Sequence, residues 1–306
     1  MFIYSDKIGR FNKFEIIRGL AVMPNFLSSV YEMHRNIYSD KNDTKRKVNV
    51  EIMKTMIFAA GLGTRLKPLT DTLPKALVPV AGRPLIEHVT EKLEKSGVKE
   101  AVVNVHHFAD KIEQWVRDYR GIMRFDVSDE REALLETGGG ILHARRHLEG
   151  CGAFLVHNVD ILSDLDINWF ASQVRPESVA TLLVSERKTS RYLLFNPGTM
   201  RLEGWTNIST GEIRSPYPDL DPGQCKMLAF SGIHILSDKV FGIMDEYVDC
   251  KGLEKENPRF PIMDFYLSVC ADCEIYGVQA EELRLIDVGK LDTLDEAEDF
   301  VISSRG

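Results

Sequence analysis

Residues 59–80, AAGLGTRLKPLTDTLPKALVPV, combine two closely spaced glycines with Arg65, Lys75 and three prolines. Backbone N–H groups beside glycines can approach a phosphate closely. The prolines fix φ and restrict the loop. A restrained loop offering N–H groups, a guanidinium and an ammonium suits a triphosphate. The competing reading is a surface loop with solvated cations, and on chemistry alone both stand. The GxxxxGK[ST] spacing of a P-loop is absent, and Leu66 occupies the third glycine position of a dinucleotide fingerprint.

Two aspartates follow apolar runs: Asp160 closes AFLVHNVD and Asp287 closes LRLID. Magnesium takes hard oxygen ligands and keeps several waters, so carboxylates at two strand ends suit it. Each Asp would otherwise cap the turn that follows, the role expected of Asp164 and Asp166. In LETGGGI, at 135–141, three glycines permit close backbone approach and open a helix through GGILHARRHL. The segment SERKTSRYLLF supplies Glu186, Arg187, Lys188 and Arg191. Cys270 and Cys273 have CxxC spacing with no second pair, where a structural zinc site needs about four ligands. His106 and His107 follow a strand end, and His234 alternates within FSGIHIL as a structural residue.

These residues need a scaffold. KTMIFAA, EAVVNV, MRFDV and AFLVHNVD read as strands, and PLIEHVTEKLEKSG reads as a helix with Leu85, Val89 and Leu93 on one stripe and a Gly stop. ADKIEQWVRDY is a helix carrying Ile112, Trp115 and Val116 on one side. Strands alternating with helices predict an α/β fold, Rossmann-like and three-layered, with a mostly parallel central sheet. After about Ala180, VATLLVSE, YLLFNP, RLEGWTN and LAFSGIHIL predict an antiparallel or mixed extension. In such sheets ligands bind beyond the C-terminal ends of the strands, which is where GLGTRLKP emerges.

The chain has 306 residues, 44% hydrophobic and 27% charged, with net charge −8. That balance argues against an extended nucleic-acid surface. No apolar run is long enough to span a bilayer, and the N-terminus does not read as a signal peptide. Five scattered cysteines point to a reducing, cytoplasmic compartment. The chain changes character near Met53. Residues 1–52 carry nine Lys/Arg and six Asp/Glu, against 29 and 40 afterwards. We expect a functional domain over 53–306. Residues 1–52 would be an upstream extension, or an arm in which Phe26, Val30 and Met33 form a helical stripe.

GLGTRLKPLT followed by PKALVPV resembles the signature of the sugar-1-phosphate nucleotidyltransferases. The resemblance continues through GRPLIEHV, LETGGGI, NVDIL, LAFSGIHIL and LIDVGKLDTLDEAE, in family order over about residues 54–300. LETGGGI and FSGI resemble the N-acetylmuramate-1-phosphate uridylyltransferase branch. The resemblance implies that an NTP and a sugar 1-phosphate react to give an NDP-sugar and pyrophosphate, with Mg2+ held by Asp160 and Asp287. It assigns Arg65 and Lys75 to the phosphates at the reacting centre. Ala60, Gly61, Gly63, Thr64, Glu136, Thr137 and Gly138 would hold the nucleotide, with backbone near 136–138 reading a pyrimidine. Asn158, Arg191 and Gly232 would meet the sugar phosphate. The leading substrates are UTP and N-acetylmuramate 1-phosphate. The alternatives are mannose-1-phosphate guanylyl transfer, glucose-1-phosphate uridylyl or thymidylyl transfer, a metal-dependent glycosyltransferase, or a regulatory subunit of the same fold. Partners are small molecules, with neither nucleic acid nor membrane, and the chain is expected as a monomer or small homo-oligomer. One departure is Val159, where the family has glycine between Asn and Asp.

Overall fold

The computed structural model describes residues 48–50 and 53–304. The stripe Phe26, Val30, Met33 lies outside them. In chain order the first half comprises β1 (Lys54–Phe58), β2 (Pro79–Val80), β3 (Arg83–Pro84), α1 (Leu85–Lys95), β4 (Glu100–Val105), α2 (Ala109–Asp118), β5 (Arg124–Asp129), α3 (Glu136–His143), α4 (Arg145–Leu148), β6 (Ala153–Asn158), β7 (Ile161–Ser163) and α5 (Ile167–Ser172). The second half comprises β8 (Ala180–Ser185), β9 (Arg191–Phe195), β10 (Leu202–Asn207), β11 (Glu212–Arg214), β12 (Lys226–Ser237), α6 (Val240–Lys251), α7 (Ile262–Val269), β13 (Ile275–Gln279), β14 (Leu285–Asp287) and α8 (Leu294–Ser303).

The main sheet runs β11-β10-β9-β12-β6-β1-β4-β5, with β8 on β12 and β13 on β8. Strands β6, β1, β4 and β5 are mutually parallel. Strand β12 is antiparallel to β6, β8 and β9. The parallel core with an antiparallel extension follows the expectation from the sequence. From β1 the chain steps outward through β4 to β5, then returns to place β6 on the other side of β1. The direction of winding therefore reverses at β1, and the crevice beyond its C-terminal end is the ligand position of such sheets.

Period-2 alternation divides the side chains between two faces. Met56, Phe154 and Val156 join Phe241, Met244, Phe265 and Tyr266 of α6 and α7 on one face. Ile57, Val103 and Leu155 join Ile86, Val89 and Leu93 of α1, Ile112 of α2 and Phe170 of α5 on the other. These are the three layers. Trp115 is half-buried and packs edge-on against Phe125. Val50 and Met53 are also buried in the second cluster, so the packed body begins before Met53.

A third cluster lies under the loop that follows β1, where Leu66, Val78, Val80 and Leu85 pack with Leu162, Val288, Ala297 and Val301. Full burial of Leu66 contributes about 2 kcal/mol. Because Val288 and α8 share this cluster, the segment carrying Asp287 is packed against the segment carrying Arg65.

Candidate active site

Register brings the strand ends into line. Phe58 at the end of β1 pairs with Asn104 of β4 on one side and Asn158 of β6 on the other. Beyond them lies an open cleft of about 500 Å³, lined by residues 58–65, Lys75, Asn104, Glu130, Glu136, Thr137, Asn158, Val159, Asp160 and Gly289. Ala60, Gly61, Gly63, Thr64, Arg65, Lys75, Glu136, Thr137, Asn158 and Asp160 of the expected set are together there.

The loop after β1 is shaped by its own contacts. Gly63 has φ +62, and a Cβ there would lie 2.8 Å from Thr70 Cγ2. Thr70 Oγ1 donates to Gly63 O at 2.8 Å, and Leu66 N–H closes a turn on the same carbonyl at 2.8 Å. The turn exposes Arg65 while burying Leu66. Lys75 is 8% exposed, and its Nζ is ion-paired with Asp160 Oδ2.

Asp160 and Asp287 are joined through a two-stranded ladder that the sequence did not disclose. Strand β14 pairs antiparallel with β7 and sets Asp287 opposite Ile161. Val288 N–H donates to Asp160 O at 2.8 Å. Asp164 accepts from Arg284 N–H at 3.0 Å and Nε at 2.8 Å, clamping the ladder's far end. Asp166 caps α5 by accepting from Asn168 and Trp169 N–H. A Cβ at Gly289 would come within 2.7 Å of Asp287 Oδ1 and 3.0 Å of Arg65 Nη2, so glycine lets the carboxyl and guanidinium share this space. Burial first, then the Asp160 charge, raises the pKa of Asp287, with Lys75, Arg187 and Arg65 acting against them. Asp287 Oδ1 is buried with no hydrogen-bond partner. A carboxyl held near a second one, with an orphaned oxygen, fits a divalent cation with oxygen preference.

The opposite wall rests on a buried pair that sequence reading missed. Asn104 Oδ1 accepts from Ala59 N–H at 2.8 Å and Ala60 N–H at 3.3 Å. Its Nδ2 donates to Glu130 Oε1 at 2.8 Å. Glu130 is 2% exposed, and burial raises its pKa. His106 Nδ1 bonds Glu130 O at 2.7 Å and stands outside the cleft lining. The available signal was an Asn one residue before the end of one strand and a Glu just after the next.

Four expected residues stand outside the cleft lining: Asp287 on its ladder, and Gly138, Arg191 and Gly232. Gly138 donates its N–H to Phe260 O at 2.9 Å. Arg191 is exposed at the first position of β9, and its N–H bonds Thr189 Oγ1 at 3.3 Å. Gly232 has φ +75 and lies behind Asn158, whose Nδ2 would be 2.8 Å from a Cβ there. The glycines of LETGGGI serve close packing within the protein: a Cβ at Gly139 would fall 2.0 Å from Pro258 O, and one at Gly138 2.3 Å from Phe260 Cε2. Cys270 and Cys273 are buried in the apolar core. No described helix is long and apolar enough to cross a membrane.

A parallel-core α/β fold with a glycine- and cation-bearing loop after its first strand and a carboxylate pair at the switch point has the build of a nucleotidyltransferase. The chain belongs to the family described as the MobA-like NTP transferase domain, which matches residues 55–207. It is 33% identical over 235 residues to the N-acetylmuramate alpha-1-phosphate uridylyltransferase of Caulobacter vibrioides, covering 74% of this chain and 88% of that protein. It is 34% identical over 192 residues to the protein of the same name from Neisseria meningitidis, covering 62% and 77%. Among solved structures, HddC from Yersinia pseudotuberculosis complexed with GMP-PN aligns with TM-score 0.60 and 22% identity, over 81% of this chain and 99% of that one, a likeness of fold.

Proposed function

We propose that this chain transfers a uridylyl group from UTP to N-acetylmuramate 1-phosphate, releasing pyrophosphate, with Mg2+ as cofactor. The observation that carries the reading is that Arg65, Lys75 and Asp160 line one cleft, with Asp287 held at its edge beside Asp160 by the β7–β14 ladder and beside Arg65 at Gly289. Among the described residues, no protein group accepts from the N–H groups of Gly61, Leu62 or Gly63, which leaves them for phosphate oxygens. The two relatives named for uridylyl transfer to this sugar phosphate support the choice of substrate.

The acceptor and donor are both anions, so encounter requires neutralisation of charge. Arg65 and Lys75 supply it along the triphosphate. One oxygen of the sugar phosphate attacks the α-phosphorus. A new O–P bond forms as the bond to the β-phosphate oxygen breaks, with inversion, and pyrophosphate leaves with the electron pair. The attacking oxygen is already ionised at neutral pH, so no general base is needed. Catalysis is then positioning and electrostatic stabilisation. Asp160 and Asp287 would hold Mg2+, which when bound adds positive charge beside the phosphates. Asn104 and Glu130 hold the Ala59 and Ala60 backbone in the shape that receives the nucleotide.

The test is pyrophosphate release across a panel of NTPs and sugar 1-phosphates, with magnesium and with excess chelator. UTP with N-acetylmuramate 1-phosphate is expected to give the highest kcat/KM, and chelator to abolish turnover. A preference for GTP with mannose 1-phosphate, or no pyrophosphate from any pair, would overturn the substrate assignment or the reaction respectively.

A further inference from the structure

A second cavity, of about 630 Å³, shares no lining residue with the reacting cleft. Its walls come from α1, the end of β7, the segment leading into α5, Arg284 and the C-terminal turn of α8. Its size is that of a small-molecule site. The β7–β14 ladder connects the two: Asp160, just before β7, lines the cleft, and Ser163, at the other end of β7, lines the cavity. The proposed reaction makes no use of this space.

The carboxylates of the cavity are already engaged. Glu91 accepts from Arg83 Nη1 at 2.5 Å and pairs with Lys95 Nζ at 2.7 Å. Asp164 accepts from the N–H and Nε of Arg284, and Asp166 caps α5. Several donors are open. Lys92 is half-buried, and among the described residues its Nζ has one acceptor, the Ser163 carbonyl at 2.9 Å. An ammonium carries three N–H donors, so two remain. Burial lowers the pKa of Lys92, and the Asp164 and Asp166 charges raise it. The ammonium has lost water without gaining a directly paired anion. Arg284 uses only Nε on Asp164, which leaves both terminal nitrogens without a described acceptor, and its guanidinium lies 5.3 Å from the ring centroid of Phe300, another wall residue. Ser163 is 7% exposed, and its Oγ is buried with no hydrogen-bond partner.

We propose that this cavity binds a phosphate monoester of a small polar molecule, gripped by Lys92 and Arg284 with the Ser163 hydroxyl as a further donor. The oxygens of a dianionic monoester only accept, and the open positions of the cavity are donors. A neutral ligand would leave the ammonium unpaired, and a cation would meet Lys92 and Arg284 directly. The volume leaves room for the body of the ester beside its phosphate. Ser163 and Arg284 stand at the far end of the ladder that carries Asp160 and Asp287, so the bound ester touches the frame of the reacting cleft without entering it.

The inference stands apart from the proposed reaction. The probe is glucose 6-phosphate, which is a phosphate monoester with no phosphate at C1 and so cannot act as the acceptor. Its affinity is measured by calorimetry, with and without saturating UTP and magnesium, for the wild type, Lys92→Met, Ser163→Ala and Arg65→Gln. Binding to the wild type persists when UTP is present, and it persists in Arg65→Gln. Loss of a charge-assisted contact weakens it about 10- to 100-fold in Lys92→Met, and loss of the hydroxyl about 3- to 10-fold in Ser163→Ala. The affinity of these two variants for UTP with magnesium stays within about twofold of the wild type, which also shows that they are folded. Absence of binding to the wild type, displacement of the probe by UTP, or equal affinity in Lys92→Met overturns the site. Inorganic phosphate, titrated in parallel, binds more weakly than the ester, and equal or tighter binding overturns the ester as the ligand.

Discussion

Asp287 is held in a surrounding that disfavours its charge. Its Oδ1 is buried and unpartnered, and Asp160 lies near enough to raise its pKa. Replacing either Asp by Asn removes a carboxylate from the site while keeping its shape. Turnover is expected to fall at least about 100-fold, the scale of a lost metal ligand or oxyanion partner. The urea midpoint of Asp287→Asn is expected to stay level or rise, because a desolvated charge has gone. Near-normal turnover in Asp287→Asn would sink the metal assignment. A second residue-scale expectation concerns buried histidine. Burial lowers the pKa of His157 to about 4 from 6.5, and that of His234 to about 3. A depressed folded-state pKa means that the unfolded chain takes up the proton first. The stability each ring contributes is therefore complete above about pH 6.5 and is lost as pH falls towards about 4 for His157 and about 3 for His234. For His157 the loss between pH 7.5 and pH 4.5 is on the order of 2–3 kcal/mol. Urea unfolding at the two pH values should show it in the wild type and show less in His157→Gln. Equal losses in both would remove His157 as the cause.

At the scale of elements, the glycine run opening α3 is the tightest joint around the cleft. Gly138 and Gly139 N–H both donate to Phe260 O, at 2.9 and 3.2 Å. With a Cβ at Gly139 only 2.0 Å from Pro258 O, backbone must move, because a carbonyl cannot rotate away as a flexible side chain would. Gly139→Ala is expected to cost about 2–3 kcal/mol in urea unfolding, and to raise the KM for the nucleotide because Glu136 and Thr137 line the cleft one turn before. Gly242→Ala is the control, since a Cβ there meets nothing within 4 Å. If both variants unfold alike, the joint is not tight.

For the whole molecule, the open question of extent becomes one of packing. Val50 is 3% exposed in the same cluster as Ile57 and Val89, and Met53 N–H donates to Val50 O at 3.2 Å. A chain beginning at Met53 retains every proposed site residue, so we propose that it folds and keeps its turnover. It loses the burial of Val50, worth about 1.5 kcal/mol, and its thermal midpoint should drop by roughly 3–6 °C. A chain beginning at Lys47 should show no drop. Aggregation or lost turnover of the Met53 chain, with the full chain active, would place residues before Met53 within the functional protein.

Local order wrote much of this protein into its sequence. Period-2 apolar runs and the 3.6-residue stripe Leu85, Val89, Leu93 specify strands and helices because burial depends on which face each side chain takes. GLGTRLKP after the first run was legible for the same reason: a loop leaving a parallel strand has only one end of the sheet to occupy. Short pairings were not legible. Strands β7, β11 and β14 have three residues each, too few for a period to register, and β7–β14 is the ladder that brings Asp287 to Asp160. Asn104 and Glu130 looked like ordinary polar residues until the fold buried them together beneath Ala59 and Ala60. Side-chain type and local period act over a few residues and can be read directly. Register, bulges and buried pairing are settled by contacts between distant segments, and only the tertiary structure decides them.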